Sequence, residues 1–296
     1  MDESGLVAWM LEGDPAVRWK VTGDPRERDR IATEGWGARL LAEQDPDGRW
    51  GGGAYSPKWT STTYTLLRLA WLGLPPGHPA ALRGCERLWE WQSRWRTAET
   101  CVAAMLVTVT RAHGYAADRL PSLVELLLDR QQDDGGWNCA AGDDRGRHSS
   151  FHTTVMALEA LHAYDGAAVA HGRGREFFLR HRLYRSHRTG EVAISGSTRL
   201  RAFPEWHFDV LRGLELFARC DHHDERLSDA VDVVRAHRRR DGTWPVVAPY
   251  PGKQWFEIEP RGPSRWNTAR ARAVLGWWDG QIMTTRGSGK PLKRDA

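Results

Sequence analysis

Gln131 to Met156 reads QQDDGGWNCAAGDDRGRHSSFHTTVM. It opens on a turn signal, Asp134-Gly135-Gly136-Trp137, and ends in an apolar run with helical spacing. Between the two stand Cys139, His148 and His152, residue types that ligate metals or move protons. Scaffold and candidate chemistry share one stretch.

The turn recurs. Gln44-x-x-Asp47-Gly48-x-Trp50 has the spacing of Gln131-x-x-Asp134-Gly135-x-Trp137, and Arg238-x-x-Asp241-Gly242-x-Trp244 keeps all but the first residue. The three tryptophans stand 87 and 107 residues apart, which leaves room for a degenerate copy in each gap, at Trp95 and at Thr189-Gly190. The marks at 50, 95, 137, 190 and 244 are then separated by 45, 42, 53 and 54 residues, a period that suits an array of helical hairpins.

A helix is expected after each mark, over 60–72, 99–112, 149–164, 205–218 and 265–278. These segments are apolar nearly all the way round, as in TTYTLLRLAWL and FHTTVMALEAL, which predicts burial on every side. Segments 120–131 and 226–237 are amphipathic and fit an outer layer, and Asp14-Pro15 reads as a cap and first-turn proline. The expectation is a closed ring of alternating inner and outer helices. It would be a single all-α domain over 1–283, five to six hairpins in all, with a basic disordered tail over 284–296.

Composition sets the bounds. A chain of 296 residues with 41% hydrophobic and 27% charged residues can bury a sizeable core. No apolar run approaches the roughly 18 residues that would span a membrane. The acidic start MDESG lacks the features of a secretory signal, so a cytoplasmic location is expected. The net charge of +4 is small and partly carried by the terminal RGSGKPLKRDA, which argues against a nucleic-acid partner. Cys85, Cys101, Cys139 and Cys220 lie far apart with no CxxC pair, and free thiols or metal ligands are expected in place of disulfides.

The QxxDGxW spacing followed by an apolar helix resembles the repeat of the α/α-toroid superfamily, which includes squalene and other class II terpenoid cyclases and the β subunits of protein prenyltransferases. The resemblance covers roughly residues 30 to 280. It implies an α/α toroid with a cavity whose ligands come from the starts of the inner helices, here Glu99-Thr100-Cys101 and Phe151-His152-Thr153.

Prenyltransferase β subunits hold zinc through an Asp-x-Cys and a His in a Tyr-His-Thr setting. By that resemblance Cys101, His152 and Glu99 would be the ligands, with Glu standing where the family has Asp. Cys139 and His148 compete for the third position. Arg94 and Arg96 match basic residues that hold an isoprenoid diphosphate in those enzymes, and Lys58 would add to the patch. The cyclases instead protonate their substrate with an Asp-x-Asp-Asp motif, which is absent, so Glu99 would have to act as a lone acid.

Two further inner-helix starts, Trp206-His207-Phe208-Asp209 and Arg265-Trp266-Asn267, add His207 and Asp209 as acid–base candidates. A His and an Asp two apart on a helix do not face each other. Trp137, Trp206, Trp266 and Asn267 are expected to contact substrate, whereas Cys220, His222 and His223 sit at the far end of a helix and are set aside. The leading expectation is a zinc-dependent enzyme acting on a hydrophobic small molecule with an anionic end, an isoprenoid diphosphate or a thiol peptide. A metal-free cyclase-like lyase or isomerase using Glu99 and a non-catalytic lipid- or peptide-binding toroid are the alternatives.

Overall fold

Each tryptophan of the repeat is held in the same way. The indole N–H of Trp50, Trp137 and Trp244 donates to the carbonyl ten residues earlier, that of Leu40, Leu127 and Val234, at 2.7, 2.6 and 2.8 Å. Their backbone N–H groups donate to the hydroxyls of Thr62, Thr154 and Thr268 at 3.1, 3.0 and 3.0 Å. One bond goes to a carbonyl in the last turns of the preceding helix, and the other ties the turn to the first turn of the next. The Gln131 amide completes the cradle by donating to Gly135 and Ala170 carbonyls, as Gln44 does to Gly48 and Ala80. Gly135 has φ +93°, and a Cβ there would lie 2.5 Å from the Arg173 carbonyl oxygen, so the Asp-Gly step admits no other residue without strain.

These turns connect the helices of a computed structural model that describes residues 1–93, 99–139, 148–162 and 164–280. In chain order the helices are α1 (Glu3–Leu11), α2 (Pro15–Thr22), α3 (Pro25–Arg30), α4 (Gly35–Ala42), α5 (Thr62–Leu72) and α6 (Pro79–Gln92). Then follow α7 (Thr100–His113), α8 (Leu120–Asp129), α9 (Phe151–Leu161), α10 (Ala168–Arg180), α11 (Val210–Arg219), α12 (Ser228–Ala236) and α13 (Arg265–Trp278). A short antiparallel ribbon pairs Trp244 with Ser264 and Pro245 with Pro263, which anchors the long connection before α13. Among the described residues no helix is long and apolar enough to cross a membrane.

The five apolar segments form helices α5, α7, α9, α11 and α13, and each is buried on most of its sides. α8 and α12 bury a single stripe, such as Leu120, Leu123, Val124 and Leu127. Packing follows chain order, α5 on α7, α7 on α9, α9 on α11 and α11 on α13, while α13 returns to α2, α2 meets α4 and α4 meets α5. The all-α expectation therefore holds.

The expected helix over 205–218 starts only at Val210, because Pro204 and Glu205, the latter at φ +56°, break the backbone before Asp209 caps α11. Trp206, His207 and Asp209 consequently precede the helix and do not lie on its first turn. The degenerate mark at Thr189-Gly190 is a turn, bridged from Arg185 to Val192, without a tryptophan cradle. Trp95 and the tail 284–296 lie outside the described residues.

The apolar helices also bury charge. Arg68 of α5 binds Glu205, Arg212 of α11 binds Glu159 of α9, and Arg270 of α13 binds Glu215 of α11. A buried arginine is tolerated only when its fork is satisfied, and each of these pairs supplies more than one hydrogen bond. An interior crossed by ion pairs was not expected from the sequence, which pointed to helices apolar nearly all the way round.

Candidate functional site

A cavity of about 630 Å³ opens between the loop 201–205 and the long connection 245–262. Its walls are largely apolar, with Phe203, Val246, Val247, Phe256 and Ile258, and Arg68, Glu205 and Gln254 join the lining. Arg201, Arg239 and Arg261 add cationic groups to the lining. Glu257 and Glu259 line it too, so the polar part of the lining carries both signs of charge beside an apolar wall that suits a hydrophobic ligand.

Glu205 is the most constrained group in this wall. It is 2% exposed, its Oε1 accepts from Arg68 Nε at 2.9 Å, and its Oε2 has no hydrogen-bond partner. Burial raises its carboxyl above the ordinary range, with Arg68 pulling the other way. The left-handed φ of +56° is strained for a glutamate, and the surroundings hold it there. Arg212 Nη1 donates to the carbonyls of Glu205 and His207 at 2.9 and 2.7 Å, and Gln254 accepts from Arg68 at 2.7 Å. Asn267 also lines the cavity, its amide nitrogen fixed on the Leu200 and Pro245 carbonyls.

Beside the cavity the side chains before α5 and α11 form an aromatic wall. The His207 ring stacks between Trp206 and Tyr250, with centroids 3.7 and 3.5 Å away, and burial pushes its pKa down to about 3. His152 accepts from the Phe208 backbone N–H at 2.8 Å through Nδ1, and burial lowers it to about 4. Both imidazoles are therefore neutral near pH 7. Lys58 is exposed and holds its ammonium 5.3 to 5.7 Å from the rings of Trp206, Tyr55 and Trp59, a cation on three aromatic faces. Asp209 is fully buried, accepts from Arg212 N–H at 2.9 Å, and is raised to about 6 by desolvation.

At the start of α7 a second group assembles. Ligand atoms of Glu99, Cys101 and Cys139 lie within 4.8 Å of one another. Cys101 and Cys139 are joined as a disulfide, against the expectation of free thiols. Their separation of 38 residues hides the pairing, which arises because the chain leaving Trp137 folds back over the first turn of α7. Thr153 donates to Cys139 sulfur at 3.4 Å, and Cys101 sulfur lies 3.8 Å from the Glu99 carboxylate.

Of the zinc ligands implied by resemblance, Glu99 and Cys101 come together with Cys139, and His152 does not join them. His152 belongs to neither group of clustered ligand atoms among the described residues, its Nδ1 is engaged by Phe208, and the Cys101 sulfur is bonded to Cys139. His148 is exposed and contributes its carbonyl to Asn138. Trp137 and Trp266 are buried scaffold, with indoles on the Leu127 and Ala202 carbonyls, which leaves Trp206 and Asn267 of the expected contacts near the cavity. Arg94 and Arg96 lie outside the described residues.

Arg68 and Glu205 were not singled out in the sequence. Arg68 had a signal, a charge in the middle of the apolar TTYTLLRLAWL, since a buried helix that carries one must supply a partner. Glu205 had none, because its inward turn is imposed by a backbone break and by Arg212.

No family model matches the chain. Over 120 residues, 39% of this chain, it is 32% identical to an uncharacterized protein of Bradyrhizobium diazoefficiens, and equally so to one of Sinorhizobium fredii. The match spans 22% of the length of each of these relatives. A crystal structure of a protein from Actinoplanes superposes with a TM-score of 0.47 at 17% identity, covering 89% of this chain and 88% of that one.

Proposed function

We propose that this chain is an α/α toroid that takes a hydrophobic molecule with an anionic end into the cavity at Glu205, and that Glu205 acts on it as a proton donor, as a cyclase- or isomerase-like enzyme. The ring reading is supported by the order of packing, which runs through α5, α7, α9, α11 and α13 and returns by α2 and α4. The observation that carries the functional reading is the buried carboxyl of Glu205, with an unpartnered oxygen, in the wall of an apolar cavity. Desolvation favours its protonated form, and Arg68 stabilises the carboxylate left after the proton moves to a substrate alkene carbon. Arg201, Arg239 and Arg261 would receive the anionic end through paired N–H groups. Glu99, the acid expected from sequence, is exposed and does not line the cavity.

The experiment compares farnesyl and geranylgeranyl diphosphates with the corresponding alcohols, reading binding by calorimetry and products by mass spectrometry. Tighter binding of the diphosphates, weakened in Arg201→Ala, is expected. Glu205→Gln should keep binding and lose turnover, whereas Glu99→Gln should keep both. Equal affinity for alcohol and diphosphate, or full turnover in Glu205→Gln, would remove the reading, and binding without turnover in the parent would leave a lipid-binding toroid.

A metal-dependent reaction at Glu99, Cys101 and Cys139 is the second reading, favoured by the convergence of those three ligand atoms. It requires the two sulfurs to be reduced, so zinc uptake by reduced protein that disappears in a Cys101→Ser, Cys139→Ser double variant is its test.

A further inference from the structure

We propose that His162, His171 and Cys220 form a zinc site at the opposite ends of the helices from the cavity. His162 follows the last turn of α9, His171 lies in the first turns of α10, and Cys220 follows the last turn of α11. In sequence Cys220 neighbours His222 and His223, but these rings turn to Phe217 and to Trp277, so the adjacent histidines are not its partners.

Two distances converge on the site. Ligand atoms of the three residues lie within 4.8 Å of one another. Cys220 sulfur is 3.6 Å from His162 Nδ1. With metal bonds of about 2.3 Å to sulfur and about 2.0–2.1 Å to nitrogen, a tetrahedral zinc separates its S and N ligands by about 3.6 Å. The spacing therefore already matches one edge of the tetrahedron.

His171 supplies the second, independent sign. It is 7% exposed and its Nε2 has no hydrogen-bond partner. A buried ring nitrogen without a partner is otherwise an unexplained cost.

Arg175 and Arg219 stand near Cys220 and both favour its thiolate, against the burial that raises the thiol. Arg219 is itself partly balanced by Glu159 at 3.4 Å. Binding would release the thiol proton to solvent and join one thiolate and two neutral imidazoles to Zn²⁺, with water in the fourth position. The ion would pin the ends of α9, α10 and α11 together, so binding should raise the stability of the whole chain by mass action. The site is independent of the chemistry proposed at Glu205.

The test uses the full, untagged chain, reduced and free of chelator, titrated with Zn²⁺ against a chromophoric competitor, with melting followed in parallel. One zinc per chain and a zinc-dependent rise in melting temperature are expected, both kept in the Cys101→Ser, Cys139→Ser double variant. His171→Gln and Cys220→Ser should weaken binding by more than the roughly 10- to 100-fold that loss of an outer-shell partner costs. Co²⁺ should give a thiolate charge-transfer band in the parent, absent in Cys220→Ser, a readout that stands even if a variant fails to fold. No zinc uptake, no thiolate band in the parent, or zinc lost only in the Cys101/Cys139 variant would overturn the proposal.

Discussion

Arg212 of α11 and Glu159 of α9 meet through two parallel hydrogen bonds, Nε to Oε1 at 2.9 Å and Nη2 to Oε2 at 2.6 Å. The remaining Nη1 of the same guanidinium holds the carbonyls of Glu205 and His207. One buried fork thus joins two apolar helices and shapes the loop that presents Glu205 to the cavity.

Arg212→Met should leave Glu159 buried with only the half-exposed Arg219, at 3.4 Å, opposite it. A loss of about 3–5 kcal/mol in urea unfolding is expected, the range for breaking one side of a buried pair. A double replacement, Arg212→Met with Glu159→Met, should recover much of that loss, because no uncompensated charge remains. A single variant within about 1 kcal/mol of the parent would show that the pair does not hold the helices.

The repeat turns make a second, parallel prediction. Thr62, Thr154 and Thr268 each accept the backbone N–H of a buried tryptophan. Changing any of them to valine leaves that N–H without a partner, which costs about 1–3 kcal/mol. Because the three turns share one geometry, the three losses in chemical denaturation should be alike. A Thr154→Val variant as stable as the parent would mean that the hydroxyl is not part of the turn.

Much of this scaffold was legible because its determinants are local. Gly135 and Trp137 serve a turn and a helix end within about ten residues, so spacing alone exposed them. Even α3, which was not expected, carried the Asp24-Pro25 signature already read at Asp14-Pro15. The site was less legible because its contacts cross long stretches of chain. Arg68 finds Glu205 across 137 residues, Cys101 finds Cys139 across 38, and Cys220 finds His162 across 58. No spacing rule links such partners. A trace was nevertheless visible, since Arg68 and Glu159 each stand alone in an otherwise uncharged helix that is buried on most sides, and a buried charge implies a partner.

Asp209 makes the pH dependence of stability predictable. Desolvation raises its pKa from 3.8 to about 6, while Arg270 opposes the shift, and its Oδ1 caps α11 by accepting from Arg212 N–H. Below the unfolded value both states are protonated and the residue has no effect. Between 3.8 and about 6 the unfolded chain loses its proton while the folded chain keeps it, so stability falls as pH rises through this window. Above the window the loss amounts to about 3 kcal/mol, from 1.36 kcal/mol per pKa unit. Asp209→Asn keeps a capping oxygen and has no charge to desolvate. Its stability relative to the parent should therefore rise by about that amount between pH 4 and pH 7, measured by chemical denaturation at matched ionic strength. Any constant cost of burying the new amide N–H groups shifts both ends equally and leaves the slope intact. A difference that stays flat across the window would show that Asp209 enters the folded state already ionised, held by Arg270 and Arg212.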